Sequence, residues 1–521
     1  MEPIQGFVLL LAVVALLTVV ARRIGVPYPI LMVLGGLGLG FIPGPARLTL
    51  EPEIVLLLFL PPILFSAAYL SSPRELWKNV RPISLLAFGL VLTTTVAVAA
   101  VLTALVPGIP FPAAVALGAI VSPPDAIAAT SIARRLGLPR RLVTILEGES
   151  LVNDATALVT YRFAVAAALT GTFSLGEAAA GFVLVAIGGV AIGLAVGWAA
   201  SWLLARLEDP PVEVLITLIA PFAAYLPAEA LGVSGVLSAV SAGLVLGWRA
   251  PRIMSSDTRL LGSGTWQMTT FVVNGLAFLL IGIQLPDVMD EIGARPPGEL
   301  AVLGAAVAVT VIAVRMLWVF PATYIPRWIV PGLAERDPAP PTGAIVVLGW
   351  AGMRGAVSLA AALALPTDPP FPERDLLIYL TFVTILVTLV GQGLTLPLLI
   401  RRAGIGDDGS AEHEERHARE AATEAALERL DELVSEVPGH VPLIDQLRDR
   451  YSHRAEHYAH DDEGPEAAED PEERDHEAIR RAVLTAERLA VIEMRDRGVI
   501  SDEALRRVEH DLDLEEVRRD I

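Results

Sequence analysis

Long apolar stretches recur along the first 400 residues of the chain, separated by short polar loops. A helix needs about 20 mostly apolar residues to cross the hydrocarbon core of a bilayer. The hydropathy pattern predicts thirteen such spans, at residues 4–21, 28–42, 54–70, 82–106, 112–136, 142–168, 177–205, 212–228, 232–249, 265–285, 299–321, 342–365 and 375–400. The predicted fold class is therefore an all-α polytopic membrane protein with 13 transmembrane helices.

Two of the predicted spans are interrupted near their middle. The fifth contains Ser-Pro-Pro-Asp at residues 122–125, and the twelfth contains Gly-Met-Arg-Gly at residues 352–355. A break at membrane depth is tolerated only inside protein or beside a watery cavity. Each break lies in the fifth helix of a six-helix set, the two sets being spans 1–6 and 8–13. The single span between them, the seventh, would invert the second set in the membrane relative to the first. Such inverted six-helix repeats with paired breaks indicate an ion site near the midplane.

The loop charges orient the chain in the membrane. With the N-terminus outside, seventeen Lys and Arg residues fall in the inner loops and three in the outer loops. Positive residues collect on the cytoplasmic side of membrane proteins. The sequence therefore predicts a multi-pass protein of the plasma (inner) membrane, with its N-terminus outside and its C-terminal end in the cytoplasm.

Composition separates this membrane part from the C-terminal end. Residues 1–402 are formally neutral, so the whole net charge of −19 lies in residues 403–521, together with all eight histidines. We predict a transmembrane domain at 1–402 and an acidic, His-containing cytoplasmic tail at 403–521. The tail shows helical stretches at 421–437 and 476–497, divided by a turn-prone run at 461–471. Its histidines could sense pH, although plain exposed polar residues on helices are the favoured interpretation.

The sixth predicted span carries a cluster of oxygen-bearing side chains. Asp154 lies about twelve residues from the inner end, roughly 18 Å along the helix, and so near the midplane. Ser150 shares its stripe of the helix, and Glu149 with Asn153 forms the adjacent stripe. Hard cations take oxygen ligands, and ionisable groups inside a membrane are usually functional. The pattern favours cation or proton binding for Asp154, and a structural ion pair for Glu149.

Other charged residues lie within the predicted spans. Ser122, with Asp125 three residues later, is typical of an N-cap followed by a carboxylate in the first turn of a second half-helix. Arg354 lies in the broken twelfth span and needs a counter-ion. Arg315 and Arg162 lie closer to the ends of their spans, where the side chain could extend to the interface.

Several motifs, in the same order along the chain, resemble the sodium/proton exchangers of the cation:proton antiporter-1 family. They are Leu-Pro-Pro-Ile-Leu-Phe at 60–65, Pro-Asp-Ala at 124–126, Glu-Gly-Glu-Ser-Leu-Val-Asn-Asp at 147–154, Ala-Glu at 228–229 with Ser-Gly at 234–235, and Gly-Met-Arg-Gly-Ala-Val-Ser at 352–358. The resemblance covers residues 1 to about 400 and does not extend into the tail.

The resemblance implies a homodimer of thirteen-helix subunits in which the broken helices 5 and 12 cross. It implies that Asp154 binds the cation or the proton, with Ser150 as a further metal ligand. The unwound part of the fifth helix, with Pro124 and Asp125, would complete the site, and Asn153 would hold that segment in place.

The resemblance also implies that Glu149 pairs with Arg354 as a structural ion pair. Two positions depart from the family pattern. Pro124 stands where many relatives have threonine, and Ser66 stands where many have a carboxylate. Both changes leave the predicted cation/proton site with fewer oxygens and less negative charge.

The predicted function is secondary active exchange of sodium for protons across the plasma membrane, with lithium and potassium left open as the cation. No histidine lies in a predicted span, so a carboxylate must carry the proton, and one titrating group makes the exchange electroneutral. We expect no enzymatic activity and no cofactor beyond the transported ions. The expected partners are sodium ions, protons, membrane lipid and a second copy of the chain, with no nucleic acid. The alternatives are a proton-coupled carrier of a small organic solute and a non-transporting membrane sensor.

Overall fold

The computed structural model describes residues 2–42, 52–172, 174–292, 295–406, 409–436 and 438–460, with isolated positions between 486 and 508. Every regular element in these ranges is helical. The chain forms two compact units, Met1–Asp408 and Gly409–Ile521. The tail segments predicted at 461–471 and 476–497 lie outside the described residues, apart from the isolated positions.

The first unit contains eighteen helices within the described ranges. They are α1 (Glu2–Ile24), α2 (Tyr28–Gly40), α3 (Pro52–Leu70), α4 (Pro73–Lys78), α5 (Val80–Leu105, with a π-helical turn at Leu85–Leu90), α6 (Phe111–Val121), α7 (Ala126–Arg135), α8 (Arg140–Thr170), α9 (Leu175–Leu204), α10 (Pro210–Ala230), α11 (Gly235–Ile253), α12 (Ser256–Ile283), α13 (Leu285–Ile292), α14 (Pro297–Ile329), α15 (Leu333–Arg336), α16 (Thr342–Trp350), α17 (Ala356–Leu363) and α18 (Arg374–Ala403, with a π-helical turn at Val387–Gln392).

Each predicted span falls on one of these helices, and the fifth and twelfth fall on the pairs α6–α7 and α16–α17. Among the described residues, eight helical segments are long and apolar enough to cross a membrane. The all-helical, multi-pass class is therefore confirmed, while the count of thirteen and the inverted repeat stay predictions. The largest shift of a helix start is in α12, which begins at Ser256 because the Ser255 hydroxyl accepts a hydrogen bond from the Thr258 amide at 3.2 Å.

Helices α1–α3 and α9–α12 pack mainly among themselves, and we call them the glycine-packed group. At their contacts, glycines lie directly against the backbone of a neighbouring helix. A Cβ atom on Gly36 would lie 2.1 Å from the Leu279 carbonyl oxygen, and one on Gly247 would lie 2.1 Å from the Tyr69 carbonyl oxygen. Small residues let membrane helices approach this closely, which maximises dispersion contacts where lipid supplies no hydrophobic driving force.

Helices α5–α8, α14 and α16–α18 form a second set, which we call the ion-pair group. Its loop residue Asp337 contacts three arginines from three helices: Arg81 of α5, Arg141 of α8 at 2.7 Å and Arg327 of α14 at 3.1 Å. Burial alone would raise the pKa of Asp337, but the hydrogen bond from Arg141 and the charges of all three arginines hold that pKa below its usual value. The carboxylate thus joins three helix ends.

The second unit contains a helical pair, α19 (Ser410–Glu436) and α20 (Val441–His460), with a 3₁₀ turn at Pro438–His440 between them. Leu430 and Ile444 are buried where the two helices pack, and Arg448 of α20 pairs with Asp431 of α19 at 2.5 Å. His413, His417, His440 and His453 are exposed, as expected of polar residues on solvated helices.

Candidate ion-binding site

The first helix break lies between α6, which ends at Val121, and α7, which begins at Ala126. Asp125 is the N-cap of α7, since its Oδ1 accepts a hydrogen bond from the Ile127 amide at 2.8 Å. The interpretation of Ser122 as the cap is wrong. Ser122 ends α6 instead, and its hydroxyl donates to the Ala119 carbonyl at 3.0 Å. Pro123 and Pro124 lie in the non-helical stretch between α6 and α7, and Asp125 is the last residue of that stretch before α7 begins.

The second break, between α16 and α17, lies against the first. The Asp125 amide donates to the Met353 carbonyl at 2.7 Å, and the Arg354 guanidinium donates to the Ser122 carbonyl. A Cβ atom on Gly355 would lie 1.8 Å from Asp125 Oδ2, so only glycine permits this approach. The two unwound stretches therefore satisfy part of each other's backbone, as non-helical backbone at membrane depth requires.

A cavity of about 260 Å³ lies beside the two breaks. Its walls come from α3, α7, α8, α12 and α17, and five of the sequence-predicted residues line it: Asp154, Ser150, Asp125, Pro124 and Ser66. Asp154 is only 6% exposed. In the described residues, no Lys, Arg or His forms an ion pair with its carboxylate. The structure therefore brings together five residues of the predicted cation/proton site around a buried carboxylate that forms no ion pair among the described residues, although the charge of Arg354 acts on it from a longer distance.

Asn153 lies behind this cavity and is fully buried. Its side-chain amide donates to the Pro124 carbonyl at 3.0 Å, so it contacts the unwound stretch directly. Ser66 uses its hydroxyl to donate to the Ile63 carbonyl of its own helix at 3.0 Å. Asn153 thus connects α8 to the unwound stretch, whereas Ser66 forms its hydrogen bond within α3.

The predicted pairing of Glu149 with Arg354 is wrong. Glu149 instead makes a two-pronged ion pair with Arg315, at 2.5 and 2.9 Å, and both side chains are 1% exposed. The apolar run that predicted the eleventh span ends near Pro321, but α14 continues through that proline to Ile329, which places Arg315 well inside the helix. Gly352 leaves room for the Arg315 side chain, because a Cβ atom on Gly352 would lie 2.3 Å from Arg315 Cδ.

Arg354 is held by backbone and hydroxyl groups rather than by Glu149. Besides its contact with Ser122, its amide donates to the Thr388 hydroxyl at 3.1 Å. Arg162 is also more than an interfacial side chain, since it pairs with Glu229 of α10 at 2.5 Å. The Ala-Glu motif at 228–229 was the sequence signal for this second pair.

One end of the cavity lies at the protein surface. There Arg134 and Glu147 line it and form an ion pair at 2.7 Å, and the Arg134 side chain is 68% exposed. Beyond the breaks, further along α8, lies a pocket of about 10 Å³ lined by Ala157, Leu158 and Tyr161. That volume is barely enough for one water molecule. The buried carboxylate is thus accessible from the end that the loop charges predict to be cytoplasmic.

The cavity wall also contains polar residues that the sequence analysis did not select as site residues. These are Thr130, Glu147, Thr270, Asn274 and Ser358. Ser358 belongs to the motif at 352–358, and Asn274 is a polar residue in the middle of the tenth predicted span. An isolated amide in an apolar run was the available signal for Asn274.

A multi-pass helical protein with a buried, unpaired carboxylate at two crossed helix breaks, open to one side, defines a secondary ion transporter. The family model described as "Sodium/hydrogen exchanger, transmembrane" matches residues 8–402, and the chain belongs to this family.

Relatives in several bacteria extend this assignment. An uncharacterized Na⁺/H⁺ exchanger of Mycobacterium tuberculosis, Rv2287, is 38% identical over 98% of this chain and 96% of its own length. The antiporter ApNhaP of Aphanothece halophytica is 37% identical over 73% of this chain and 71% of its own. The mycobacterial match includes most of the tail, whereas the family model stops at residue 402.

The fold is similar to a solved antiporter structure. The sodium proton antiporter MjNhaP1 of Methanocaldococcus jannaschii superposes with a TM-score of 0.61 at 18% identity, over 77% of this chain and 99% of that one. At this identity the similarity describes the fold alone.

Proposed function

We propose that the chain exchanges sodium ions for protons across the plasma membrane by competition of the two cations for Asp154. The observation that carries this proposal is the place of Asp154 in a cavity wall, buried and without an ion-pair partner among the described residues. A carboxylate taken out of water needs a compensating positive charge. Either a proton or a metal ion supplies that charge, so the binding of one excludes the other.

The neighbouring groups fit this competition. Ser150 lies one turn before Asp154 and shares the cavity wall, so its hydroxyl is a further ligand of the metal ion. Asp125 keeps the second half-helix in place through its cap, and Asn153 holds the unwound stretch through Pro124. One proton exchanged for one monovalent cation moves no net charge, so the exchange is electroneutral. No cofactor takes part in this scheme.

The same proposal includes the arrangement in the membrane. The positions of the helices support thirteen spans in two inverted sets, with the outer end of α8 near the small pocket and the inner end at Arg134 and Glu147. The N-terminus then lies outside and the tail in the cytoplasm. The family resemblance supports a homodimer.

Sodium is the proposed cation, and the name of one relative supports a test of other monovalent cations as well. A Bacillus pumilus protein, 34% identical over 80% of this chain and 64% of its own length, is named a sodium, potassium, lithium and rubidium/H⁺ antiporter. The cavity disfavours the carrier of an organic solute, since among the described lining residues Phe278 is the single aromatic side chain. Such ligands are usually held by several apolar and aromatic groups.

The test uses purified protein in liposomes that contain a pH-sensitive dye. Addition of sodium should move protons through the wild type and leave an Asp154→Asn variant inactive. Asp257→Asn is the matched control, because Asp257 is an exposed carboxylate in the first turn of α12. Retained sodium-driven proton movement in a folded Asp154→Asn variant would refute the proposal.

A further inference from the structure

Two polar side chains in the cavity wall have no use in the mechanism above. Asn274 of α12 is 8% exposed and Ser358 of α17 is 2% exposed. Within the described part of the chain, neither Asn274 Oδ1 nor Ser358 Oγ has a hydrogen-bond partner, whereas the Asn274 side chain does form a hydrogen bond with Tyr28. Buried polar atoms nearly always have a partner, and each exception requires an explanation.

These two side chains come from different helix groups. Asn274 belongs to the glycine-packed group and Ser358 to the ion-pair group, and both line the cavity that Asp154 and Ser150 line. Ser358 also lines the small pocket beyond the breaks. It therefore borders both spaces.

We propose that Asn274 Oδ1 and Ser358 Oγ are further ligands of the transported cation. This inference rests on the proposed function, because it assigns ligands to the same site. Carbonyl and hydroxyl oxygens suit a hard cation, and a bound ion would give both orphan atoms a partner.

Both proposed ligands are neutral, so replacing either of them should change transport in a different way from replacing Asp154. A neutral oxygen that binds a metal ion does not carry the transported proton. Its removal should weaken sodium binding and leave proton binding at Asp154 nearly unchanged. The expected signature is a higher KM for sodium with a similar kcat, measured at alkaline pH where proton competition is weakest.

The chain offers a matched control for the loss of an orphan oxygen. Thr94 of α5 is fully buried and its Oγ1 also has no partner among the described residues, yet it lines neither space. Thr94→Val therefore removes the same kind of atom at a distance from the proposed site. Its KM for sodium should match the wild type.

The experiment compares Asn274→Leu, Ser358→Ala and Thr94→Val in liposomes, with sodium-dependent thermal stabilisation in detergent as a second measurement. Loss of one neutral contact should raise the sodium KM about three- to tenfold and reduce the stabilisation by sodium. Ser358→Cys keeps the side-chain volume but replaces a hard oxygen with a soft sulfur. It gives the same test if Ser358→Ala is not recovered as folded protein.

The outcomes separate this inference from the proposed function. A raised KM in the Asn274 and Ser358 variants alone supports the assignment. An unchanged KM in both, with an active wild type and an inactive Asp154→Asn variant, overturns the inference and leaves the exchanger intact. An equal rise in Thr94→Val would overturn it too, because the effect would then come from packing. An Asp154→Asn variant that still exchanges sodium for protons removes the function and the inference together.

Discussion

The two helix groups that enclose the cavity are stabilised by different forces. In the glycine-packed group, backbones touch at Gly36, Gly193 and Gly247, and the contacts depend on shape alone. In the ion-pair group, helices are broken, and buried charges such as Glu149 and Arg315 hold them together. The group that carries Asp154 is therefore the one that contains the two helix breaks and the buried pair of Glu149 and Arg315. The other group contributes a close-packed part of the cavity wall through α3 and α12.

The ion-pair group should depend most on its buried pair. Replacing Glu149 with Gln leaves Arg315 buried without a counter-ion, which typically costs about 3–5 kcal/mol of unfolding free energy. Replacing both residues with Gln should recover part of the loss. The measurement is thermal unfolding in detergent as a double-mutant cycle. Glu147→Gln is the control, since its pair with Arg134 is exposed and contributes about 1 kcal/mol or less. A coupling below about 0.5 kcal/mol between Glu149 and Arg315 would contradict the assignment.

The glycine-packed group should be sensitive to single methyl groups instead. Gly36→Ala places a Cβ atom against the Leu279 carbonyl, so α2 must move away from α12, at a cost of about 1–3 kcal/mol. Gly38→Ala, two residues along the same helix, meets no atom within 4 Å and should be neutral or stabilise by up to about 1 kcal/mol. Equal melting temperatures for the two variants would show that this group is not held by close backbone contact.

A smaller effect is expected at Asp337, which lies in a loop of the ion-pair group. Because its folded-state pKa lies below the unfolded value of about 4, ionised Asp337 stabilises the fold above that pH. This contribution disappears as the pH falls through the folded-state pKa. Asp337→Asn should lower stability by about 1 kcal/mol at neutral pH. The melting temperatures of the wild type and of Asp337→Asn, measured from neutral to acidic pH, should converge only below about pH 4. A difference in melting temperature that stays constant over this range would contradict the linkage.

The smallest effect concerns the contact between the two groups. The pair of Arg162 and Glu229 joins α8 to α10 at the end away from the open cavity. Its loss should favour widening of the small pocket lined by Ala157, Leu158 and Tyr161 by no more than about 1 kcal/mol, or about fivefold in population. The chain has no cysteine, so a single Ala361→Cys in that pocket can report opening through its labelling rate.

Arg295→Gln is the control for this measurement, because Arg295 pairs with Glu299 and Glu373 without joining the two groups. Labelling in Arg162→Gln that is no faster than in this control would mean that the pair does not limit access to the pocket.

The sequence predicted the elements that depend on local chemistry. Apolar length gave the helices, consecutive prolines gave the first break, and a carboxylate in an apolar run identified Asp154. The partner of Glu149 could not be read in this way, because Arg315 is 166 residues away and the choice between two arginines depends on how helices pack. The orphan oxygen of Asn274 was equally hidden, since an unpaired atom is visible only once its surroundings are known.

The mutual hydrogen bonds of the two helix breaks have a consequence for biosynthesis. Arg354 and its acceptor Ser122 are 232 residues apart in the chain. At about 5–20 residues per second, translation needs roughly 10–50 s to supply the second stretch after the first. During that interval the break at 122–125 has none of its final partners from residues 353–355. The insertion machinery, or water retained beside the nascent helices, must satisfy it until the C-terminal half arrives.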